Sequence, residues 1–139
     1  MKKLFGLLFA LLICNVALAD DADFRCFKSV GLQNTIRLQF SFPAEDQGLG
    51  HVRYMNGSAP IPVKKIGERT VSKVPGGRPW VFEMTWQEVG AQGGGKYIIV
   101  TQGALIDEFR YVRQKDGKVF RFEDDPDATG ENGCEWKKQ

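Results

Sequence analysis

The chain is poor in the residues on which hydrolytic and metal-dependent active sites are usually built. It has one histidine, His51, and three cysteines in 139 residues. A catalytic thiol requires a free cysteine beside a histidine, and the serine of many hydrolases stands in a Gly-x-Ser-x-Gly turn. None of the four serines stands in such a turn, and nothing in the sequence selects a catalytic pair of carboxylates. We therefore predict that the protein is not an enzyme and uses no cofactor.

The chain also lacks an apolar run long enough for a comfortable membrane span, which needs about 20 residues. Its longest run, residues 4–13, follows two lysines and precedes an Ala-Leu-Ala sequence that ends at Ala19. These are the three parts of a secretory signal peptide. We expect residues 1–19 to be a signal peptide cleaved before Asp20, and residues 20–139 to form one domain in the periplasm.

Cys14 raises one alternative, because the leader of a lipoprotein ends at a cysteine that becomes lipidated. Such a site has a small residue before the cysteine, whereas Ile13 stands there. The Ala-Leu-Ala sequence further along is the better cleavage site. We therefore predict that Cys14 is removed with the signal peptide.

The exported domain lacks net charge. The whole chain has a formal charge of +2, and the loss of Lys2 and Lys3 with the leader brings it to 0. A neutral domain has no electrostatic footprint for nucleic acid, which excludes that partner. The basic cluster of the chain comprises Lys64, Lys65, Arg69, Lys73 and Arg78. The acidic cluster comprises Glu123, Asp124, Asp125, Asp127, Glu131 and Glu135. Separate clusters suit a charged protein partner, although ordinary solvated loops give the same pattern.

Two cysteines remain after the leader, Cys26 and Cys134, and they stand near opposite ends of the exported domain. Two cysteines in an oxidising compartment predict one disulfide. The loop that this bond closes exceeds 100 residues. The chain-entropy model assigns such a loop roughly 4–5 kcal/mol, a large share of the stability of a small domain.

Alternating apolar and polar residues indicate β-strands along the exported domain. The alternation is clear over residues 34–42 and 80–86, and residues 97–101 form a β-branched run typical of a strand buried on both faces. Weaker strands are predicted at residues 24–30, 51–55, 61–65 and 70–74. With turn signals every 8–12 residues and no helical periodicity, the sequence predicts an all-β domain: a small antiparallel barrel or sandwich of about seven or eight strands.

The strongest hairpin signal is Asp116-Gly117, between residues 109 and 124. If these two residues occupy the centre of the turn, Tyr111 lies opposite Phe122 and Arg110 lies opposite Glu123. In that register Phe109, Tyr111, Phe120 and Phe122 share the core face.

The acidic segment near the end of the chain contains a partial calcium-loop pattern. Asp125, Asp127 and Thr129 supply oxygen ligands at alternate positions, followed by Gly130 for a sharp turn. The pattern then fails, because Trp136 stands where a bidentate glutamate is required. A solvated loop is the alternative interpretation of this segment, and we predict no resident metal.

The chain resembles the small periplasmic inhibitors of C-type (animal) lysozyme. The similarity lies in an early cysteine within an aromatic strand (Phe24-Arg25-Cys26), a strand at residues 35–42, a glycine-flanked tyrosine strand at residues 94–104 and the late Cys134. That family has a Ser-Gly pair before the tyrosine strand and a Lys-Gly pair after it. Here the first pair reads Gly93-Gly94, and Gln102 stands in the position of the lysine.

The resemblance implies a rigid barrel that blocks the cleft of a lysozyme with loops flanking the tyrosine strand. The partner-binding residues that it implies are Gly94, Gly95, Lys96, Tyr97, Thr101, Gln102 and Gly103. The alternative is an immunity or envelope-accessory protein that binds a bacterial protein. Either protein would be a monomer or weak dimer without a membrane span. A calcium- or glycan-binding module is a third hypothesis, although we assign Trp80, Trp86 and Trp136 to the core or its caps.

Overall fold

The computed structural model describes residues 23–57, 59–90 and 94–137. The expected signal peptide, its cleavage site before Asp20 and Cys14 lie outside these residues. Within the three ranges, no helix has the length and apolar character needed to cross a membrane.

Eight antiparallel strands close into a barrel in which each strand pairs with the next along the chain and the last pairs with the first. The strands are β1 (Phe24–Ser29), β2 (Arg37–Ser41), β3 (Gly50–Tyr54), β4 (Ile61–Ser72), β5 (Val81–Glu88), β6 (Lys96–Gln102), β7 (Leu105–Val112) and β8 (Val119–Asp124). A 3-10 turn, Pro126–Ala128, follows β8. The all-β prediction is confirmed. The sequence predicted a barrel or a sandwich, and the structure is a closed barrel.

Side chains fill the interior of the barrel. The buried core consists of Phe27, Leu38, Phe40, Val52, Val63, Trp86, Tyr97, Ile99, Phe109 and Phe122. Aromatic rings meet across the centre: Phe27 stacks on Phe109 with centroids 4.1 Å apart, and Phe40 meets Trp86 edge-on at 5.5 Å. An eight-stranded barrel is just wide enough for such a packing of side chains. The interior is therefore a solid core.

The strand predicted to end at residue 65 and the strand predicted to begin at residue 70 are one continuous strand, β4. β4 has two bulges, in which Ile66 and Val71 are extra residues without a partner on β5. The pairing with β5 resumes after each bulge, so it continues through Gly67. Such bulges bend a strand without ending it. The prediction of two short strands was therefore wrong.

Burial along β5 and β6 also differs from expectation. On β6, Tyr97 and Ile99 are buried, whereas Ile98 and Val100 are half-buried on the outside of the barrel. A closed barrel has one core face, so a strand buried on both faces was the wrong expectation. On β5, Trp86 lies in the core, but Trp80, just before the strand, is 43% exposed. It was assigned to the core or its caps, yet it belongs to neither hydrophobic cluster of the described residues.

The hairpin of β7 and β8 forms with a register two residues away from the predicted one. Tyr111 lies opposite Phe120, and Arg110 lies opposite Arg121 rather than Glu123. The turn contains four residues, since the Arg113 N–H donates to the carbonyl of Lys118 at 2.9 Å. A shift of two preserves the face of every side chain, so the aromatic residues still point inward.

The predicted disulfide between Cys26 and Cys134 is confirmed, with the two Cα atoms 5.8 Å apart. The two cysteines form a small apolar cluster outside the barrel with Ala128, against which Trp136 packs. The Arg53 guanidinium donates to the Cys134 carbonyl at 3.2 Å and stacks over the Trp136 ring. The C-terminal segment is thus fixed across the outer face of the first three strands.

Candidate functional site

The residues that the family resemblance implies for partner binding divide between the two ends of β6. At its start lie Gly94, Gly95, Lys96 and Tyr97. At its end lie Thr101, Gln102 and Gly103. A strand of this length separates its ends by about 20 Å. The structure therefore does not bring the seven residues onto one surface, and we refer to the first group as the closed end and to the second as the open end.

At the closed end, the protein's own side chains cover the glycines. A Cβ atom added to Gly95 would overlap the ring of Tyr111, and one added to Gly94 would overlap the side-chain amide of Gln114. Gly94 also has a φ of +152°, which strains any other L residue. Both glycines thus serve internal packing, and the space beside them is already occupied.

Tyr97 belongs to the core. Its hydroxyl lies 2.7 Å from that of Tyr54 and donates to a carboxylate oxygen of Glu88 at 2.9 Å. Burial is the main cause that raises the pKa of both phenols, and the neighbouring Glu88 carboxylate adds to it. Both phenols therefore stay neutral. Of the four closed-end residues, Lys96 is the one with an exposed side chain.

The open end borders a shallow groove at the barrel rim, which we call the rim groove. Its lining consists of Asp23, Arg25, Phe42, Met84, Thr101, Gly103, Ala104 and Ile106. Phe42, Met84 and Ile106 form an apolar floor that packs against the barrel core. Polar and backbone groups surround this floor. An apolar floor with a polar margin is the usual composition of a binding surface.

The turn between β6 and β7 is braced from both sides. The Gln102 side-chain amide donates to the carbonyl of Pro79 at 3.1 Å, and the Arg25 guanidinium donates to the carbonyl of Ala104 at 3.1 Å. Gly103 has a φ of +60° and lies against the Pro79 ring. The brace therefore connects this turn both to β1 and to the segment before β5.

Next to this turn, β4 and β5 form a hairpin, and β5 pairs with β6 along its other side. We call residues 64–81 the basic arm. Its charged side chains are Lys64, Lys65, Glu68, Arg69, Lys73 and Arg78. The Lys73 ammonium lies 5.1 Å from the centroid of the exposed Trp80 ring, a cation–π contact. The sequence showed the basic cluster. Because two separate strands were predicted in place of β4, it did not show that the members of the cluster lie on one hairpin.

The outer face between the arm and the barrel carries a chain of ion pairs. Glu83 contacts Arg69 at 2.9 Å and Arg110 at 3.6 Å, while Glu108 contacts Arg110 and Arg121 at 2.8 Å each. The hydrogen bond from Arg110 is the largest cause that holds the pKa of Glu108 below its ordinary value. These charges satisfy one another, which leaves little net charge on this face.

The partial calcium pattern does not form a ligand cluster. Asp125 is buried and its carboxylate lies 3.8 Å from the Arg37 guanidinium. In the described part of the chain, no three or more acidic, histidine or cysteine side chains converge as a metal site requires. Asp127 borders a surface pocket that also contains Lys28 and Lys137. Asp125 is therefore paired with Arg37 rather than directed toward Asp127 and Thr129, and it is not the solvated residue that the alternative expected.

Comparison of the chain with family models, with curated proteins and with solved structures finds no match.

Proposed function

We propose that this protein is an exported periplasmic binding protein of the lysozyme-inhibitor type, which docks with the open end of β6. The observation that supports this most is a braced turn on a barrel with a filled interior. Because side chains fill the interior of the barrel, a partner must bind to its outer surface. Thr101, Gln102 and Gly103 lie on that surface beside the rim groove, in a turn that is fixed by hydrogen bonds. A preformed turn loses little conformational entropy on binding.

The chemistry of a lysozyme cleft suits this end of the barrel. A lysozyme is strongly cationic, and its cleft contains two catalytic carboxylates. The Gln102 amide uses one N–H toward Pro79 and has a second to donate to a carboxylate. Asp23 lies in the rim groove, and the acidic segment is fixed beside β1 by the hydrogen bond from Asp125 N–H to the Cys26 carbonyl. Both supply negative charge that attracts a cationic partner.

The test is a cell-lysis assay with a C-type lysozyme and the oxidised domain of residues 20–139. We expect excess protein to suppress lysis. Gln102→Ala removes the amide and its brace, so it should weaken inhibition, whereas Lys96→Ala, a truncation at the closed end of the same strand, should not. Full lysis with excess wild-type protein would contradict the proposal. Equal weakening by both variants would contradict the choice of the open end.

A second candidate, an immunity or envelope-accessory protein, is favoured by the basic arm. Three exposed basic side chains of residues 64–81 form no ion pair with any described residue: Lys64, Lys73 and Arg78. They suit an acidic partner rather than a cationic lysozyme. In this case the domain would co-purify with an acidic envelope or effector protein at low salt and release it at about 1 M salt, where the Debye length is about 3 Å. If the domain binds lysozyme but co-purifies with no protein of an envelope extract, this candidate is excluded.

A further inference from the structure

The outer edge of β4 has no neighbouring strand over most of its length. β3 pairs with β4 at Ile61, Pro62 and Val63, and in the three described ranges no other strand follows on that side. Residues 64–72 therefore pair with β5 on one side alone. In an antiparallel ladder, alternate residues direct their N–H and C=O groups away from a given neighbour. About half of these residues thus present backbone donors and acceptors at a free edge, in a barrel that is otherwise closed.

The side chains along this edge are exposed and partly apolar. Ile66 and Val71, the two bulged residues of β4, are 50% and 47% exposed. Between them, residues 67–70 pair with β5 without interruption. The edge thus offers a short regular ladder with an uncovered β-branched side chain at each end. A strand added here would pair with the ladder and cover both side chains.

The charge of the arm selects among possible strands. Lys64 and Lys73 form no ion pair with any described residue, and both are exposed. A second copy of the chain would bring the same positive charges against this edge. Lysine on an edge strand is a known means of preventing self-pairing. An acidic strand, in contrast, would find unpaired cations beside a free ladder.

We propose that the free edge of β4 binds an acidic, extended segment of another protein by strand addition. Backbone hydrogen bonds to residues 64–72 hold the segment, and Lys64 and Lys73 select for carboxylates on it. None of residues 64–72 lines the rim groove, so the proposal does not depend on whether the open end binds a lysozyme.

The test uses a short synthetic peptide of alternating Glu and Val, with two control peptides. One control replaces Glu by Lys, and the other keeps the carboxylates but is N-methylated at alternate residues, so it cannot pair as a strand. On the oxidised domain, we expect the acidic peptide to slow amide hydrogen exchange within residues 64–72 and the two controls to leave it unchanged. Equal binding of the N-methylated peptide would reduce the effect to charge alone and overturn the proposal.

Two protein variants complete the test. Lys64→Glu should weaken binding of the acidic peptide at least about fivefold, since it places like charges together. Lys115→Glu makes the same change on an exposed lysine in the β7–β8 turn and should have no effect. No binding by the wild-type domain at low salt would overturn the proposal. So would a concentration-dependent dimer that protects residues 64–72 without peptide, because the edge would then belong to a second copy.

Discussion

Gly95 provides a sharp test of whether the closed end of β6 is committed to internal packing. Gly95→Ala adds one Cβ atom, which would overlap the Tyr111 ring. That ring cannot simply move inward, because it lies 4.9 Å from the ring of Tyr97 and 6.1 Å from that of Phe120. The substitution therefore overpacks the contact between the buried Gly95 and the half-buried Tyr111 ring. If instead the glycine served a partner, the isolated domain would tolerate it.

Overpacking of this kind costs about 1–3 kcal/mol. For a domain of this size, that corresponds to a melting temperature lower by about 4–12 °C. Gly67→Ala is the matched control, since a Cβ atom added there has no neighbour within 4 Å. Glycine in a strand is less stable than alanine by roughly 0.5–1 kcal/mol, so this control should be neutral or stabilising.

The assay is urea denaturation of four proteins: wild type, Gly95→Ala, Tyr111→Ala and the double variant. The double-mutant cycle isolates the contact between the two residues. We expect the cost of Gly95→Ala to fall close to zero once the Tyr111 ring is removed. An equal cost in both backgrounds would refute the assigned clash. No cost in the wild-type background would refute the packing role of the glycine altogether.

Three further predictions concern the Cys26–Cys134 disulfide, the buried phenols and the turn between β6 and β7. Replacing Cys26 and Cys134 by alanine should lower the free energy of unfolding by about 2–5 kcal/mol in urea denaturation; an unchanged midpoint would contradict the stabilising role of the disulfide. Because burial raises the pKa of Tyr54 and Tyr97, stability should be fully present below about pH 10 and fall above it by up to about 1.4 kcal/mol per pH unit for each phenol. Tyr97→Phe should remove the contribution of one phenol from that slope, and an identical slope would argue against a protected Tyr97. Arg25→Ala should speed amide exchange in the β6–β7 turn, whereas unaltered exchange would show that this brace is dispensable.

Much of the fold could be predicted from local sequence. The alternation of apolar residues located the strands, since one buried face forces a two-residue period. This alternation does not determine the register in which two strands pair, as the hairpin of β7 and β8 shows. Asp116-Gly117 marks a turn, but the hydrogen bonds of Arg113 set its length at four residues. Bulges were also not predictable from the sequence, so residues 66–69 were left out of the predicted strands although β4 continues through them.

The candidate site was less predictable, because its parts come from distant segments. The rim groove joins Asp23, Phe42, Met84 and Ile106, which lie at or near four different strands. No local pattern indicates that these residues meet. The family resemblance implied that the residues flanking β6 bind one partner together, but a strand of seven residues holds its two ends apart. The free edge of β4 emerges from the pairing with β3, which stops at Val63.

Docking through the open end of β6 is tested most directly by NMR mapping of the oxidised, nitrogen-15-labelled domain during titration with a C-type lysozyme. We expect the backbone amide signals of Thr101, Gln102 and Gly103 to shift together with those of the residues that line the rim groove, while the signals of the closed end stay unchanged. Shifts centred on Gly94 and Lys96, or no shifts at all, would contradict this expectation.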